Sequence, residues 1–415
     1  MEDEYVPRNK PTTKSQQSTT KPKSQAQSLM ELTAISGEYP AENIPRIITS
    51  HSYAKKLITA LVNDKLIKLV NKGGVRGYRL EIKGKRKLLT DNPVRYKEYL
   101  DGATDTNKLR SDHPRRLRLH SVAEAYTLMH NAGIHIYKDT KPQVYLLDAS
   151  ASPSQTALSQ TINGSSAYKT LMNKGSPTTD GNQPVITSPC FYSSREQKGE
   201  DDNAIRGSRA VGTLLTQTHV YAIYNTGGTE SRWRESVEMR YKADVHDYIC
   251  RNLLLSQYKG GPVSGIMIGK TMDILEKYLV ADTKTSASHN FFTKTYQPFY
   301  FITNDDYGEA QLRLLCDNAR MTALKTAMQK GLTPADIKYP IEHDALTEDG
   351  NPVLFCCQLN IPRLVQFRAG IQLHGKIGQV IAFDFQQEVL ERYLGGMVVF
   401  KTLSLEKLME RLYPI

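Results

Sequence analysis

Residues 50–89 read SHSYAKKLITALVNDKLIKLVNKGGVRGYRLEIKGKRKLL, and this stretch decides the fold of the N-terminal region. Ser50 can cap the free amides of a first helical turn. Apolar residues follow at helical spacing, which predicts one amphipathic helix. Its buried side is expected to carry Ala54, Leu57, Ile58, Leu61 and Val62. An apolar run at 66–70, a turn rich in Asn, Lys and Gly at 71–77 and a return run at 78–82 predict two antiparallel strands.

Two more helices are predicted upstream of this stretch. Apolar residues between positions 29 and 35 have helical spacing and stop at Gly37, a natural helix terminator. Pro40 is well placed to start a short second helix over 41–48, with Ile44, Ile47 and Ile48 facing inward. Residues 1–26 are polar and carry almost no apolar groups, which is typical of a disordered tail.

The positive charge of the chain is concentrated in one segment. The 415 residues carry a formal net charge of +11. Residues 46–118 contain nineteen Lys and Arg against seven Asp and Glu, a net charge of +12, so the rest of the chain carries −1. Such a block is typical of a surface that binds a polyanion, because a charge needed only for solubility would be spread out. The alternative is a solvated basic face without a partner.

The order helix, helix, helix, strand, basic turn, strand over residues 27–89 resembles the winged-helix DNA-binding domain. The residues that carry the resemblance are SHSY at 50–53, LI at 57–58, DKLI at 64–67, GYRL at 77–80 and GK at 84–85. The stretch is similar to regulators of the multiple-antibiotic-resistance type. It is equally similar to the N-terminal domain of replication-relaxation proteins encoded on bacterial plasmids and integrative elements. The resemblance covers about a seventh of the chain.

The resemblance implies a protein that binds double-stranded DNA in replication, transfer or transcriptional control of such an element. The helix after Ser50 would enter the major groove, and the turn would contact the adjacent backbone. The predicted DNA-binding residues are Ser50, Ser52, Tyr53, Lys55, Lys56, Lys72, Arg76, Arg79, Lys85 and Arg86. Winged helices also serve as protein-binding modules, and this second reading stays open.

A second basic stretch continues over residues 90–148 and predicts a long amphipathic helix from about 117 to 132. Two interpretations remain open for it. It extends the DNA footprint through Arg110, Arg115, Arg116 and Arg118, or it is a dimerisation or docking helix with a basic collar. Residues 149–189 are rich in Ser, Thr, Gly, Asn and Pro, which is typical of a linker or a long loop.

The remainder, residues 190–415, alternates strand-like and helix-like segments, so the whole chain is expected to be α+β, with a winged helix followed by a larger α/β domain. Strands are predicted over 219–224, 236–241, 264–268, 298–303, 353–357 and 380–385. Helices are predicted over 243–256, 271–280, 307–329, 386–394 and 405–412. This domain would provide dimerisation or contact with other element-encoded proteins.

Two segments of this second domain carry residue types found in nucleotide-binding or metal-dependent catalytic sites. Residues 264–271, SGIMIGKT, lack the first glycine of a phosphate-binding loop and carry three bulky apolar residues, which favours a buried strand. A metal-dependent nuclease would use acidic residues around Asp201 and Asp202 with Glu235, Glu238 and Lys242 on a strand. Arg240 stands where a lysine is expected, and arginine cannot act as a base. The sequence therefore favours a binding protein over an enzyme, without metal or cofactor.

The cellular setting is predicted from absent signals. The five cysteines form no C-x-x-C pair, which favours free thiols in a reducing compartment. No apolar run approaches the roughly 18 residues of a membrane helix, and no apolar segment follows the acidic N-terminus as in a secretory signal. A cytoplasmic protein without membrane contact is expected.

Overall fold

The computed structural model describes residues 24–101, 106–107, 112–142, 144, 185–197, 207–227, 234–252, 258, 263–281 and 295–414. These residues form a mixed α+β structure with three sheets. The predicted tail at 1–26 and linker at 149–189, as well as Asp201 and Asp202, lie wholly or mostly outside the described residues.

The N-terminal elements follow the predicted order, apart from one short additional strand after the first helix. They are α1 (Gln25–Ser36), β1 (Tyr39–Pro40), a 3-10 helix (Ala41–Arg46), α2 (His51–Asn63), β2 (Ile67–Lys72) and β3 (Val75–Leu80). The three strands form one antiparallel sheet in the order β1-β3-β2. The predicted second α-helix is a 3-10 helix, with Pro45 inside it removing a backbone donor. Strand β3 starts three residues earlier than expected because the turn is only Gly73-Gly74.

Three helices follow this sheet: α3 (Ile82–Asp91), α4 (Pro93–Leu100) and α5 (His113–Asn131). Helix α5 is the central helix of the N-terminal half. Its residues Ala123, Tyr126 and Met129 are fully buried. They belong to one hydrophobic cluster that runs from α1 through α5 to one face of the next sheet. Most of helix α5 is therefore an internal packing element, and its exposed residues lie within 113–118.

The first five-stranded sheet contains β4 (Cys190–Ser193), β5 (Ala210–Leu215), β6 (Val220–Gly227), β7 (Ser264–Gly269) and β8 (Phe299–Thr303). Strands β4, β5 and β6 are antiparallel neighbours, whereas β6, β7 and β8 run parallel. The helices of this unit are α6 (Ser194–Gln197), α7 (Glu235–Asn252), α8 (Met272–Ala281) and α9 (Asp306–Cys316). The SGIMIGKT segment is thus a buried strand leading into α8, as predicted.

A helix α10 (Asn318–Met328) leads to the second five-stranded sheet. Its strands are β9 (Thr333–Pro334), β10 (Ala345–Leu346), β11 (Pro352–Phe355), β12 (Gly378–Phe383) and β13 (Val398–Leu403). Its helices are α11 (Ile361–His374), α12 (Gln387–Leu394) and α13 (Leu405–Leu412). Strands β9, β10 and β11 are antiparallel neighbours, and β11, β12 and β13 run parallel.

The two five-stranded sheets have the same strand order and the same strand directions. The helices between the fourth and fifth strands also correspond: α8 contains DILEKYL at 273–279 and α12 contains EVLERYL at 388–394. These equivalent helices pack on each other, and Arg392 of α12 forms ion pairs with Asp273 and Glu276 of α8. The described part of residues 190–414 is therefore built from two units of one topology.

Most predicted elements of these units are present, with two errors. Residues 236–241 belong to helix α7, not to a strand. The single helix predicted over 307–329 is two helices, because Asp317 ends α9 and caps α10 by accepting a hydrogen bond from the amide of Arg320.

Candidate nucleic-acid interface

Helix α2 presents a polar and cationic side to solvent. Ser50 caps it, and its hydroxyl accepts a hydrogen bond from the amide of Tyr53 at 3.5 Å. Ala54 and Leu61 are buried under the helix. The exposed side carries Ser52, Tyr53, Lys55, Lys56 and Thr59 together with the cap. A cationic helix side that none of the described elements covers has the shape and chemistry that fit a major groove.

The β2–β3 hairpin is a second exposed basic element. Lys72 pairs with Val75 across the strands, so Gly73 and Gly74 alone form the turn. Both glycines have positive φ angles, 62° and 77°, and residues other than Gly, Asn or Asp rarely adopt such a backbone conformation. Lys72 and Arg76 flank the turn and are exposed. A hairpin tip without side chains allows close approach to a sugar-phosphate backbone.

Arg116 of α5 anchors this hairpin. Its guanidinium is 1% exposed and donates to the carbonyls of Val70, Lys72 and Val75 at 3.0, 2.9 and 3.0 Å. The same guanidinium binds the buried carboxylate of Glu38, with Nη2 at 2.6 Å from Oε1. The hairpin is therefore held on α5 by a fully buried side chain rather than by surface contacts.

Glu38 is the centre of a buried charge cluster. Arg79 Nη2 lies 2.6 Å from Glu38 Oε2, and His120 Nε2 lies 2.9 Å from Glu38 Oε1. Burial alone would raise the pKa of Glu38, but hydrogen bonds from His120, Arg116 and Arg79 lower it to about 2. Gly77 is required here, because a Cβ at this position would lie 2.5 Å from Glu38 Oε1.

The prediction that Arg79 contacts DNA is wrong. Its side chain is fully buried and is ion-paired with Glu38, so it cannot reach a phosphate. Arg116 is likewise unavailable, and Arg118 donates to the backbone carbonyls of Ser208 and Ala210. Arg110 lies outside the described residues. Charge alone did not separate these internal arginines from the exposed cations.

The other predicted cations fall into two groups. Lys55 and Lys56 on α2 and Lys72 and Arg76 on the hairpin are all exposed. Lys85 is half-buried and Arg86 is exposed, but both lie on α3, which packs on α1 and α4. They therefore stand on a different helix from the four cations of α2 and the hairpin, and the first turn of α3 lies against the backbone of Leu66, just after α2.

Sequence reasoning did not connect the start of α5 with the hairpin tip. A Cβ on Gly73 would lie 3.4 Å from Cδ2 of His113, so the first turn of α5 adjoins the turn of the hairpin. Arg115 follows in the same turn, with a 69% exposed side chain. About 40 residues separate the two elements along the chain, and no local pattern signals their contact. We define the α2–hairpin surface as the exposed side chains Ser52, Tyr53, Lys55, Lys56, Lys72, Arg76, His113 and Arg115.

The residues proposed for a nuclease do not form the expected arrangement. Glu238 lies on helix α7, is 1% exposed, and accepts hydrogen bonds from Ser208 Oγ, the Arg209 amide and Tyr224 Oη. Both of its oxygens are thus used by protein donors. Lys242, one turn further, donates to the carbonyl of Thr295. Within the described ranges, no group of three or more His, Cys, Asp or Glu side chains is arranged to hold a metal ion.

Comparison with protein-family models, with curated proteins and with solved structures finds no match. Of the helices in the described ranges, none combines the length and the apolar character needed to cross a membrane.

Proposed function

We propose that this chain binds double-stranded DNA through a winged helix, in which α2 enters the major groove and the β2–β3 hairpin is the wing. The observation that carries the proposal is the α2–hairpin surface, where a capped cationic helix and a glycine-tipped basic hairpin are both exposed. The strand order β1-β3-β2 of the small sheet also fits this fold. The net charge of residues 46–118 supplies the long-range attraction for a polyanion.

Part of that basic charge is neutralised inside the protein, which reduces the number of cations available to contact DNA. Arg79 and Arg116 neutralise Glu38, and Arg95 forms ion pairs with Asp139 and Glu31. The cations that remain exposed on α2 and on the hairpin are therefore the ones expected to contact phosphates. In this arrangement Ser52, Tyr53, Lys55 and Lys56 lie closest to the base edges and their flanking phosphates.

The resemblance to replication-relaxation and multiple-antibiotic-resistance-type proteins supports a role in replication, transfer or transcriptional control of a plasmid or integrative element. In that setting the two α/β units would provide dimerisation or contact with other element-encoded proteins.

The test is a charge reversal on α2 with a matched control. We expect Lys55→Glu with Lys56→Glu to abolish binding of the full chain to a fluorescent duplex, because both side chains are exposed and two phosphate contacts become repulsive. The control, Lys330→Glu with Lys376→Glu, makes the same change in net charge at exposed positions outside the α2–hairpin surface. Unchanged affinity in the α2 variant, with an unchanged circular dichroism spectrum, would remove α2 from the interface. An equal loss of affinity in both variants would show that the binding is only non-specific electrostatic attraction.

A further inference from the structure

A groove runs between α9 and α13, the equivalent last helices of the two α/β units. Its volume is about 780 Å³, which lies within the range of small-molecule sites. The apolar part of its lining consists of Tyr307, Ala310, Leu405, Met409 and Tyr413. Each unit thus contributes one wall, and the DNA-contacting side chains of the α2–hairpin surface are not part of it.

The rim of the groove is acidic. Asp305, Asp306, Glu406 and Glu410 line it, together with Arg46 and Arg313. Asp305 is occupied as the cap of α9, where it accepts a hydrogen bond from the amide of Gly308. Glu406 and Glu410 lie one helical turn apart on α13, are exposed, and form no salt bridge with any described residue. Two like charges at this spacing disfavour the helix slightly, and a cation between them would remove that cost.

Arg46 shows that this acidic rim accepts a guanidinium group. Its side chain reaches the groove from the end of the 3-10 helix and pairs with Asp306 and Glu309 on α9. The backbone of Arg46 is also fixed, since its carbonyl accepts a hydrogen bond from Asn131 Nδ2 at 3.0 Å. It occupies the α9 side of the groove. The second arginine of the lining, Arg313, donates to the carbonyl of Asn131, and no described residue forms an ion pair within 4 Å with Glu406 or Glu410 on the α13 side.

The groove that Glu406 and Glu410 line also contains an exposed aromatic ring, that of Tyr307. Tyr307 is 47% exposed, and its ring stacks on Phe385 with the centroids 4.5 Å apart and the planes 8° apart. The stacking fixes the orientation of the ring, so its open face is a preformed surface for an apolar or cationic group. Met409 and Ala310 extend this surface along the groove.

We propose that the groove binds a small organic cation, an ammonium or amidinium group carried on an aromatic or aliphatic body. The cation lies between Glu406 and Glu410 of α13. The apolar body packs on Tyr307, Ala310 and Met409. A neutral molecule of the same shape gains only the apolar contacts, so the site discriminates by charge.

The test compares two probes of one shape, 2-phenylethylamine and the uncharged 2-phenylethanol, by titration calorimetry of the full chain without DNA. We expect the amine to bind about five- to tenfold more tightly, the ratio for two solvent-exposed ion pairs. Glu406→Gln with Glu410→Gln is expected to bring the two affinities within about twofold of each other. The control Glu348→Gln with Asp349→Asn removes the same charge from an exposed loop and is expected to leave the ratio unchanged.

A second variant tests the apolar half of the site. Tyr307→Ala removes a half-exposed ring and is expected to weaken both probes by the same factor. Equal affinity of the two probes for the unmodified chain contradicts the proposal. So does an absence of amine binding at about 10 mM, well above the millimolar affinity expected for a ligand of this size. A loss of discrimination in the control equal to that in the glutamate variant also contradicts it. Because no DNA is present, the result does not depend on the function proposed above.

Discussion

The carboxylate of Glu38 connects three elements that are distant in the sequence. It lies between β1 and α1, receives Arg79 from β3 and accepts hydrogen bonds from Arg116 and His120 of α5. A buried carboxylate is costly without such partners, so the two arginines and the glutamate depend on one another. Arg116 uses its remaining donors on the hairpin, and the position of the hairpin therefore depends on this charge cluster.

Replacing Glu38 with glutamine should destabilise the protein in a pH-dependent manner. The pKa of Glu38 is lowered from 4.5 to about 2 in the folded state, so its stabilising effect is present above pH 4.5 and is lost as the pH falls towards 2. We expect Glu38→Gln to lower the free energy of unfolding by at least about 3 kcal/mol at pH 7. Urea unfolding at several pH values measures this. A difference between the two proteins that stays constant from pH 7 to pH 3 would contradict the assignment.

Substitution by alanine should destabilise the protein to different extents at two glycines of the hairpin. A Cβ on Gly77 would collide with Glu38 and with His120 Nε2, at 2.5 and 2.8 Å, whereas a Cβ on Gly74 meets nothing within 4 Å. We expect Gly77→Ala to cost about 1–3 kcal/mol through overpacking. Gly74→Ala should cost about 1 kcal/mol, because only the positive φ is strained. Thermal unfolding of both variants provides the comparison, and an equal loss in both would show that the buried cluster has room at Gly77.

Single residues also show what a sequence can and cannot predict here. The cap at Ser50 and the exposed lysines of α2 follow from local spacing, and they are found where predicted. The burial of Arg79 and Glu238 cannot be predicted from local spacing, because it depends on partners far along the chain. Arg79 sits in the same basic segment as Arg76, three residues away, yet one is buried and the other exposed.

At the scale of elements, the hairpin is expected to contribute phosphate contacts rather than base recognition. Lys72→Ala with Arg76→Ala should lower the slope of log affinity against log salt concentration by about 0.9 per lost contact, about 1.8 in all. The relative affinities for different duplex sequences should change little. Fluorescence anisotropy over a salt series measures the slope. An unchanged slope would show that the hairpin does not touch the backbone.

Several strands and helices of the two α/β units were predictable from local periodicity, whereas β4, β5, α11 and β13 were not predicted. Buried strands such as β7 and β12 read as short apolar runs, and α8 and α12 follow them at once. Val237, Met239 and Tyr241 alternate with polar residues, a pattern compatible with the strand predicted over 236–241, although the segment is helical. The correspondence between the two α/β units is spread over strand order and one short motif, so it emerges only from the sheet topology.

At the scale of the whole molecule, the N-terminal elements are not expected to fold alone. Leu29 and Leu32 of α1 share one hydrophobic cluster with α5 and with one face of the first five-stranded sheet. Tyr39 Oη also lies 3.0 Å from Thr127 Oγ1 of α5. A fragment ending at residue 101 lacks α5 and should show no cooperative thermal transition, whereas the full chain should show one. A cooperative transition in the fragment would mean that the predicted domain of residues 27–89 is independent of α5.

The central claim is that the α2–hairpin surface binds duplex DNA. The most direct measurement is fluorescence anisotropy of the full chain with a labelled duplex across a salt series, with and without magnesium, followed by a gel of the duplex. We expect saturable binding that weakens steeply as salt increases, with or without magnesium, and an intact duplex afterwards. Binding with no salt dependence, or no binding at the lowest salt concentration, would contradict the claim and favour a protein-docking surface. Magnesium-dependent cleavage would instead make the chain a nuclease.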